Sequence, residues 1–161
     1  MASSIHPLPA LACLIGFALG TALAKEAAPV NLSSFGTVSC SSEESPRGNL
    51  ARHAIDGNSQ TRWCSNGFLA NSWLAVDLDG TCVLSKVVVE WEQPVSYTYS
   101  LEGSLDGKTW FNLGGQAKVQ AVGKGTHPLS DRIRHLRITH RDPTIKAWSS
   151  IREVQIWGVP E

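Results

Sequence analysis

Short alternating segments separated by turn residues constrain the fold of this chain most strongly. Apolar residues recur with a period of two, or cluster in short runs, over residues 73–78, 83–91, 97–103, 133–139 and 151–157. Asp79-Gly80, Pro94 and Asp106-Gly107 interrupt these runs as turn formers. No stretch has a long helical period. The pattern therefore predicts an all-β protein, with short antiparallel strands packed as a β-sandwich.

The first residues have the character of an export signal. Residues 8–24 are mostly small and apolar and end in Ala22-Leu23-Ala24, which is typical of a signal-peptide cleavage site. This run is shorter than the roughly 20 residues that a membrane-spanning helix needs. We expect a signal peptide over residues 1–24, with an uncleaved membrane anchor as the alternative. The expected location is secreted, periplasmic or extracellular.

The charge balance bears on the class of partner. The chain has 14 basic and 14 acidic residues, and no run of like charge. Nucleic acids and anionic membranes both require a basic surface. We therefore expect neither nucleic-acid binding nor, after cleavage, membrane insertion.

Three cysteines, Cys40, Cys64 and Cys82, follow the expected cleavage site. Outside the cytoplasm, three cysteines predict one disulfide and one remaining thiol. Cys64–Cys82 encloses the shortest loop, and Cys40–Cys64 is the alternative.

A polar loop between apolar segments is rich in oxygen donors. Asp56 and Thr61 offer a carboxylate and a hydroxyl, with several backbone carbonyls between them, and Glu153 adds a carboxylate in the last alternating segment. Hard oxygen ligands in this number suit a calcium-type ion. Because it would join both ends of the domain, such a site would be structural.

No motif indicates catalysis. The sequence has no G-x-S-x-G elbow, no H-E-x-x-H helix and no glycine-rich phosphate loop. The later histidines have no ligand spacing; they are His53, His127, His135 and His140. We expect no enzyme, although a hydrolase of unfamiliar type stays open, since distant residues can form a triad.

Six short motifs in order resemble one known family. They are Ser41-Ser42-Glu43-Glu44, Ala54-Ile55-Asp56-Gly57, Thr61-Arg62-Trp63, residues 73–78, residues 104–110 and Ser150-Ile151-Arg152-Glu153-Val154. The chain resembles a discoidin domain, also called a coagulation factor 5/8 type C domain, and the related family 32 carbohydrate-binding modules. The resemblance covers about residues 33–158, after a short linker at 25–32. It implies a jelly-roll-like, galactose-binding-domain-like antiparallel β-sandwich.

The resemblance also implies the ligands of the cation. Asp56 and Glu153 would bind through their side chains and Thr61 through its hydroxyl and carbonyl. The carbonyls of His53, Asn58 and Arg152 would complete the shell. The expected ion is structural Ca²⁺, with Na⁺ as the alternative.

In the resembling family, loops at one end of the sandwich surround the ligand. The equivalent loops here follow Cys40, Cys64, Trp91 and His140. We expect Glu44 and Glu92 to accept hydrogen bonds from sugar hydroxyls, Arg47 to donate one, and Tyr97 or Trp148 to stack on a sugar ring.

This chain departs from galactose-binding relatives at two positions. Those relatives have a histidine directly after the Thr-x-Trp motif and an arginine after the strand that ends here at Trp91. This chain has Cys64 and Glu92-Gln93 there, which puts galactose recognition by the usual residues in doubt. The predicted function is a secreted, non-catalytic carbohydrate-binding module or lectin that binds a glycan or glycoconjugate. The alternative is an extracellular protein–protein or cell-surface adhesion module.

Overall fold

The computed structural model describes residues 27–68, 70–142 and 147–161, and within them the chain is built almost entirely from antiparallel strands. The strands are β1 Val30–Asn31, β2 Thr37–Cys40, β3 Trp63–Cys64, β4 Trp73–Trp91, β5 Ser96–Ser104, β6 Phe111–Asn112, β7 Val119–Val122, β8 Lys124–Pro128, β9 Arg132–His140 and β10 Ser150–Pro160. Short 3-10 helices lie at Ser33–Phe35, Ser45–Arg47, Ala51–Ile55 and Leu113–Gly115. The all-β sandwich expected from the sequence is confirmed.

Strand β4 passes from one layer of the sandwich to the other. A straight strand of its 19 residues would be about 60 Å long at roughly 3.3 Å per residue. Yet Trp73 pairs with Thr139, and the Trp91 ring lies 6.0 Å from the ring of His140, the next residue. The chain must therefore reverse inside β4. The pairing register shifts between Asp77 and Cys82, where the sequence predicts the Asp79-Gly80 turn.

The two halves of β4 anchor the two layers. Its first half pairs with β2 and β9, and β9 continues the layer to β5, which pairs with β6 and β7. Its second half pairs with β10 and β8, and β10 also pairs with β1 and β3. The core between the layers includes Trp63, Leu74, Val87, Trp91, Tyr97, Tyr99, Leu101, Leu136, Ile138, Ile151, Val154 and Ile156.

Part of the expected linker belongs to the sandwich. Val30 and Asn31 pair with β10, and the Leu32 N–H donates to the Ile156 carbonyl at 2.8 Å. The end of the 25–32 segment is therefore ordered against the last strand. The predicted signal peptide, 1–24, lies outside the described residues. No helix in the described ranges is long and apolar enough to cross a membrane.

The three described cysteines are free thiols, so the expected disulfide is wrong in this structure. Cys64 pairs with Ser150 and Cys82 with Pro160, ten residues apart on β10. This separates their backbones by roughly 30 Å along the strand, whereas the Cα atoms of a disulfide lie within about 7 Å. Short spacing in the sequence is misleading here because the β4 segment runs along the whole sandwich.

Cys40 and Cys64 lie at the same end of the sandwich but remain separate thiols. Cys40 packs against the core, while Cys64 lines a surface cleft. Burial raises the pKa of both thiols, that of Cys64 to about 11. Neither is therefore a reactive thiolate near neutral pH.

Candidate functional site

The four loops that the sequence singled out meet at one end of the sandwich. Backbone hydrogen bonds join the loops that follow β2, β3, β4 and β9. The bonds run from Glu44 N to Cys64 O at 2.9 Å, from Ser65 N to Ser149 O at 2.9 Å, from His140 N to Ser72 O at 2.9 Å and from Glu92 N to Ser150 O at 3.0 Å. Because backbone groups hold the loops, their side chains have a fixed platform.

These loops enclose a small surface cleft, which we call the tip cleft. Its volume is about 210 Å³, and its lining residues are Glu44, Arg47, Arg62, Cys64, Glu92, Gln93 and Trp148. Four of the five residues expected to bind a sugar therefore line one cleft, although the loops that carry them are far apart in the sequence.

One wall of the tip cleft carries Glu44 and Arg47. Glu44 is buried, accepting a hydrogen bond from Asn49 Nδ2 at 2.6 Å and pairing with Arg47 Nε at 3.2 Å. The Arg47 side chain is itself about three-quarters exposed. This pair presents an acceptor and a donor side by side to any bound ligand.

A second ion pair lies on the other side of the cleft, where Arg62 Nε is 3.2 Å from Glu92 Oε1. Arg62 was absent from the predicted binding residues, although the sequence held a signal for it. It lies directly before Trp63, the first residue of β3, and alternation along an extended chain turns its side chain away from the core that Trp63 enters. Its pairing with a residue 30 positions later was not visible in the sequence.

An aromatic pair lies beside the two ion pairs. Trp148 is partly exposed, and its ring centroid is 5.3 Å from that of Phe68 at an interplanar angle of 73°. Phe68 is 62% exposed. The expected stacking residue Trp148 is therefore at the cleft, with a second aromatic ring that sequence reasoning did not assign to the site.

The expectation that Tyr97 stacks on a sugar is wrong in this structure. Tyr97 is fully buried, and its ring stacks on Trp91 with centroids 4.1 Å apart. Its hydroxyl donates to the Trp148 carbonyl at 3.4 Å, and burial raises its pKa to about 12. Tyr97 therefore supports the loop that carries Trp148 and does not present its face to a ligand.

The expected cation ligands come together on a different part of the surface. The Gly57 N–H donates to Glu153 Oε2 at 3.1 Å, which brings the Asp56 loop against β10. Thr61 Oγ1 lies 2.8 Å from Asp56 Oδ2 and 2.7 Å from Asn58 O, and its one hydroxyl proton donates to either oxygen. Both carboxylates and the hydroxyl thus lie around one loop.

Two further features fit a cation at this loop. The pairing register of β10 with β4 shifts between Ile151 and Glu153, so Arg152 has no partner on β4. A bulge of this kind leaves a backbone carbonyl outside the hydrogen bonds between the strands. His53 lies in the 3-10 helix that ends at Ile55, directly before Asp56. No group of three or more His, Cys, Asp and Glu side chains that could hold a metal ion gathers in the described ranges, so a cation at this loop would need the Thr61 hydroxyl and backbone carbonyls beside the two carboxylates.

The electrostatics of Glu153 also fit a cation. Burial, together with the nearby charges of Asp56 and Glu90, raises the pKa of its carboxyl to about 7, although the hydrogen bond from the Gly57 N–H lowers it in part. In the described part of the chain, no ion pair to a lysine or arginine reaches Asp56 or Glu153. A bound cation would supply the missing positive charge, and oxygen donors of this kind suit Ca²⁺ or Na⁺.

A family model described as a NedA-like, galactose-binding domain of F5/F8 type C matches residues 53–138. The chain belongs to this family. The matched range includes the Asp56 loop and the loop after β4, but ends before Trp148 and Glu153. No curated protein matches the chain at a significant level.

Solved structures agree with the family. The chitosan-binding module 1 of a chitosanase/glucanase from Paenibacillus sp. IK-5 is 25% identical, with a TM-score of 0.69, covering 80% of this chain and 98% of that one. The CBM32 of AlyQ, in complex with 4,5-unsaturated mannuronic acid, is 24% identical, with a TM-score of 0.63, covering 74% of this chain and 92% of that one.

Some neighbours are parts of larger proteins. A truncated AlyQ with CBM32 and alginate lyase domains is 24% identical, with a TM-score of 0.65, covering 78% of this chain. The present chain spans about a third of that protein, 32% of its length. The fold of the present chain is therefore that of these carbohydrate-binding modules.

Proposed function

We propose that this chain is a non-catalytic carbohydrate-binding module that holds a sugar in the tip cleft. The observation that carries the proposal is the arrangement of two carboxylate–guanidinium pairs beside the Trp148–Phe68 pair. Aromatic rings offer apolar faces to the C–H faces of a pyranose, and each ion pair offers a hydrogen-bond acceptor next to a donor, which matches neighbouring sugar hydroxyls. The chitosan-binding neighbour supports a glycan as the ligand class.

We further propose a structural Ca²⁺, or Na⁺, at Asp56, Thr61 and Glu153, and export after cleavage at Ala24. The cation would neutralise two carboxylates and fix the Asp56 loop to β10. It would not contact the bound sugar, because Asp56, Thr61 and Glu153 do not line the tip cleft. Export would give a mature N-terminus at Lys25, which mass spectrometry of the secreted protein detects.

The binding test is calorimetric titration with galactose, N-acetylglucosamine, glucosamine and galacturonate, each as the single sugar and as 1,4-linked oligomers. We expect dissociation constants on the order of 0.1–1 mM, since a shallow cleft provides few contacts. Trp148→Ala and Arg47→Ala should weaken binding on the order of tenfold, while circular dichroism stays unchanged.

Arg132→Ala is the matched control. Arg132 is an exposed arginine at the start of β9 that pairs with Glu161, which follows β10, at the opposite end of these strands from the tip cleft. If Trp148→Ala and Arg47→Ala bound as tightly as this control, the tip cleft would not be the site. If no sugar bound, the protein–protein adhesion alternative would replace the proposed function.

A further inference from the structure

A second cleft shares a wall with the tip cleft, and we call it the side cleft. Glu92 and Gln93 line both clefts. Beyond them, the side cleft is lined by Glu90, Pro94, Lys124 and Arg152, among others. The short loop after β4 therefore forms a ridge with one cleft on each side.

The volumes of the two clefts differ in an informative way. The tip cleft holds about 210 Å³ and the side cleft about 390 Å³. Pockets that enclose small ligands are typically about 300–1,000 Å³. The tip cleft falls below this range and the side cleft lies within it, so the space for a ligand continues past the loop formed by Glu92 and Gln93.

Backbone contacts fix the walls of the side cleft. The Trp91 N–H donates to the Gly123 carbonyl at 2.6 Å, so the β7–β8 hairpin is bonded to the end of β4. Gly123 has a positive φ of 65°, and a Cβ there would lie 3.8 Å from the Pro94 Cα. On the other wall, Arg152 Nη1 donates to the Ser59 carbonyl at 2.8 Å. The cleft is therefore formed before any ligand arrives.

The chemistry of the side cleft resembles that of the tip cleft. Its charged residues are two acids, Glu90 and Glu92, and two bases, Lys124 and Arg152. Lys124 Nζ is 3.7 Å from Glu90 Oε2, with the lysine side chain 58% exposed. Because this pair is loose and solvated, its ammonium and carboxylate remain available to hydrogen-bond with ligand hydroxyl groups. The balance of two acids and two bases suits an uncharged ligand.

We propose that the side cleft is a second sugar subsite, so that this module binds an oligosaccharide of at least two units whose chain crosses the Glu92-Gln93 ridge. The inference rests on the proposed function. One unit lies in the tip cleft against Trp148, and the next lies between Pro94 and Lys124. Glu92 and Gln93 contact both units.

Titration with single sugars and with two-, three- and four-unit oligomers of the four series named above tests the subsite. We expect affinity to rise on the order of tenfold between one unit and two or three, as the added unit gains contacts at little extra cost in overall freedom. Lys124→Ala should abolish this rise and leave the single sugar's affinity unchanged. The matched control is Lys108→Ala. Lys108 is an exposed lysine in the turn after β5, whereas the side cleft lies at the start of β5, next to Pro94.

Amide NMR provides a second readout. The Gly123 and Lys124 amide signals should shift with the two-unit ligand and not with the single sugar, while the Trp148 indole signal shifts with both. Affinity independent of length, or a Lys124→Ala variant equal to Lys108→Ala, would overturn the subsite and leave the proposed function standing. Absence of binding by every series would instead overturn the proposed function, and the subsite with it.

Discussion

Two glutamates of this chain are equally buried and have opposite electrostatic surroundings. Glu102 and Glu153 are each 8% exposed. Burial by itself raises the pKa of Glu102, but Arg137, Thr139 and Arg141 outweigh it, so its pKa is lowered. Burial, with the nearby charges of Asp56 and Glu90, raises the pKa of Glu153 to about 7, and no lysine or arginine among the described residues forms an ion pair with it.

The contacts of Glu102 explain the difference. Its Oε2 accepts from Arg137 Nε at 2.8 Å and from Thr139 Oγ1 at 3.0 Å, and its Oε1 accepts from Arg141 Nη2 at 3.0 Å. At Glu102 the fold thus supplies its own cations. Glu153 instead accepts from one backbone N–H, that of Gly57, and lies near Asp56. This contrast is the reason for proposing a cation at Glu153.

The largest expected effect follows from removing the charge of Glu102, the buried glutamate that has cationic partners. Glu102→Gln keeps the shape but leaves Arg137 and Arg141 without their carboxylate. Removing one partner of a buried ion pair costs about 3 kcal/mol. We expect this loss in the free energy of unfolding, measured by urea denaturation. A loss as small as that of an exposed pair would show that the arginines find other partners and that the comparison does not hold.

Calcium addition tests Glu153, the buried glutamate that forms no ion pair with a lysine or arginine in the described residues. An ion that binds the folded state stabilises it by about 2.7 kcal/mol at 100 times its dissociation constant. We expect calcium to raise the melting temperature of chelator-treated protein. Glu153→Gln and Asp56→Asn should lose this response, while Glu102→Gln, although less stable, should keep it. Should calcium and sodium both leave the wild-type melting temperature unchanged, no cation binds there.

The dependence of stability on pH tests the lowered pKa of Glu102. The folded-state pKa of Glu102 lies below its ordinary value of 4.5, so the unfolded chain takes up this proton first as pH falls. Its stabilisation is therefore present above about pH 4.5 and is lost as pH drops through the folded-state pKa. Between about pH 5 and pH 3, the wild type should lose more stability in urea titrations than Glu102→Gln. Parallel losses in the two proteins would contradict the lowered pKa.

The smallest expected effect concerns Asp77, a partly exposed carboxylate that is paired with an arginine but not buried. Asp77 accepts from Arg134 Nε at 2.9 Å and from Arg134 Nη2 at 3.1 Å, but both side chains are more than a third exposed. Exposed pairs contribute little because water already solvates their charges. Asp77→Asn should therefore lose roughly a third or less of the stability that Glu102→Gln loses in the same urea experiment. Equal losses would show that pairing geometry, and not burial, sets the cost.

The alternation of residues along β5 could have predicted that the Tyr97 side chain is buried. Tyr97, Tyr99 and Leu101 share one face of β5, and all three are buried. That parity was visible in the sequence, so the assignment of Tyr97 to the binding surface overlooked it. Trp148 and Arg47 were predicted at the binding surface because the family resemblance places their loops at one end of the sandwich and because binding residues concentrate in loops.

Short-range pattern therefore determined the strands, the positions of the loops and the oxygen-rich loop at Asp56, since each depends on neighbouring residues. The tertiary structure decided which distant residues meet. It paired Arg62 with Glu92, kept Cys64 away from Cys82 and placed the β7–β8 hairpin against the end of β4 to form the side cleft. Sequence periodicity is silent on such contacts, because they depend on strand order and on the reversal inside β4.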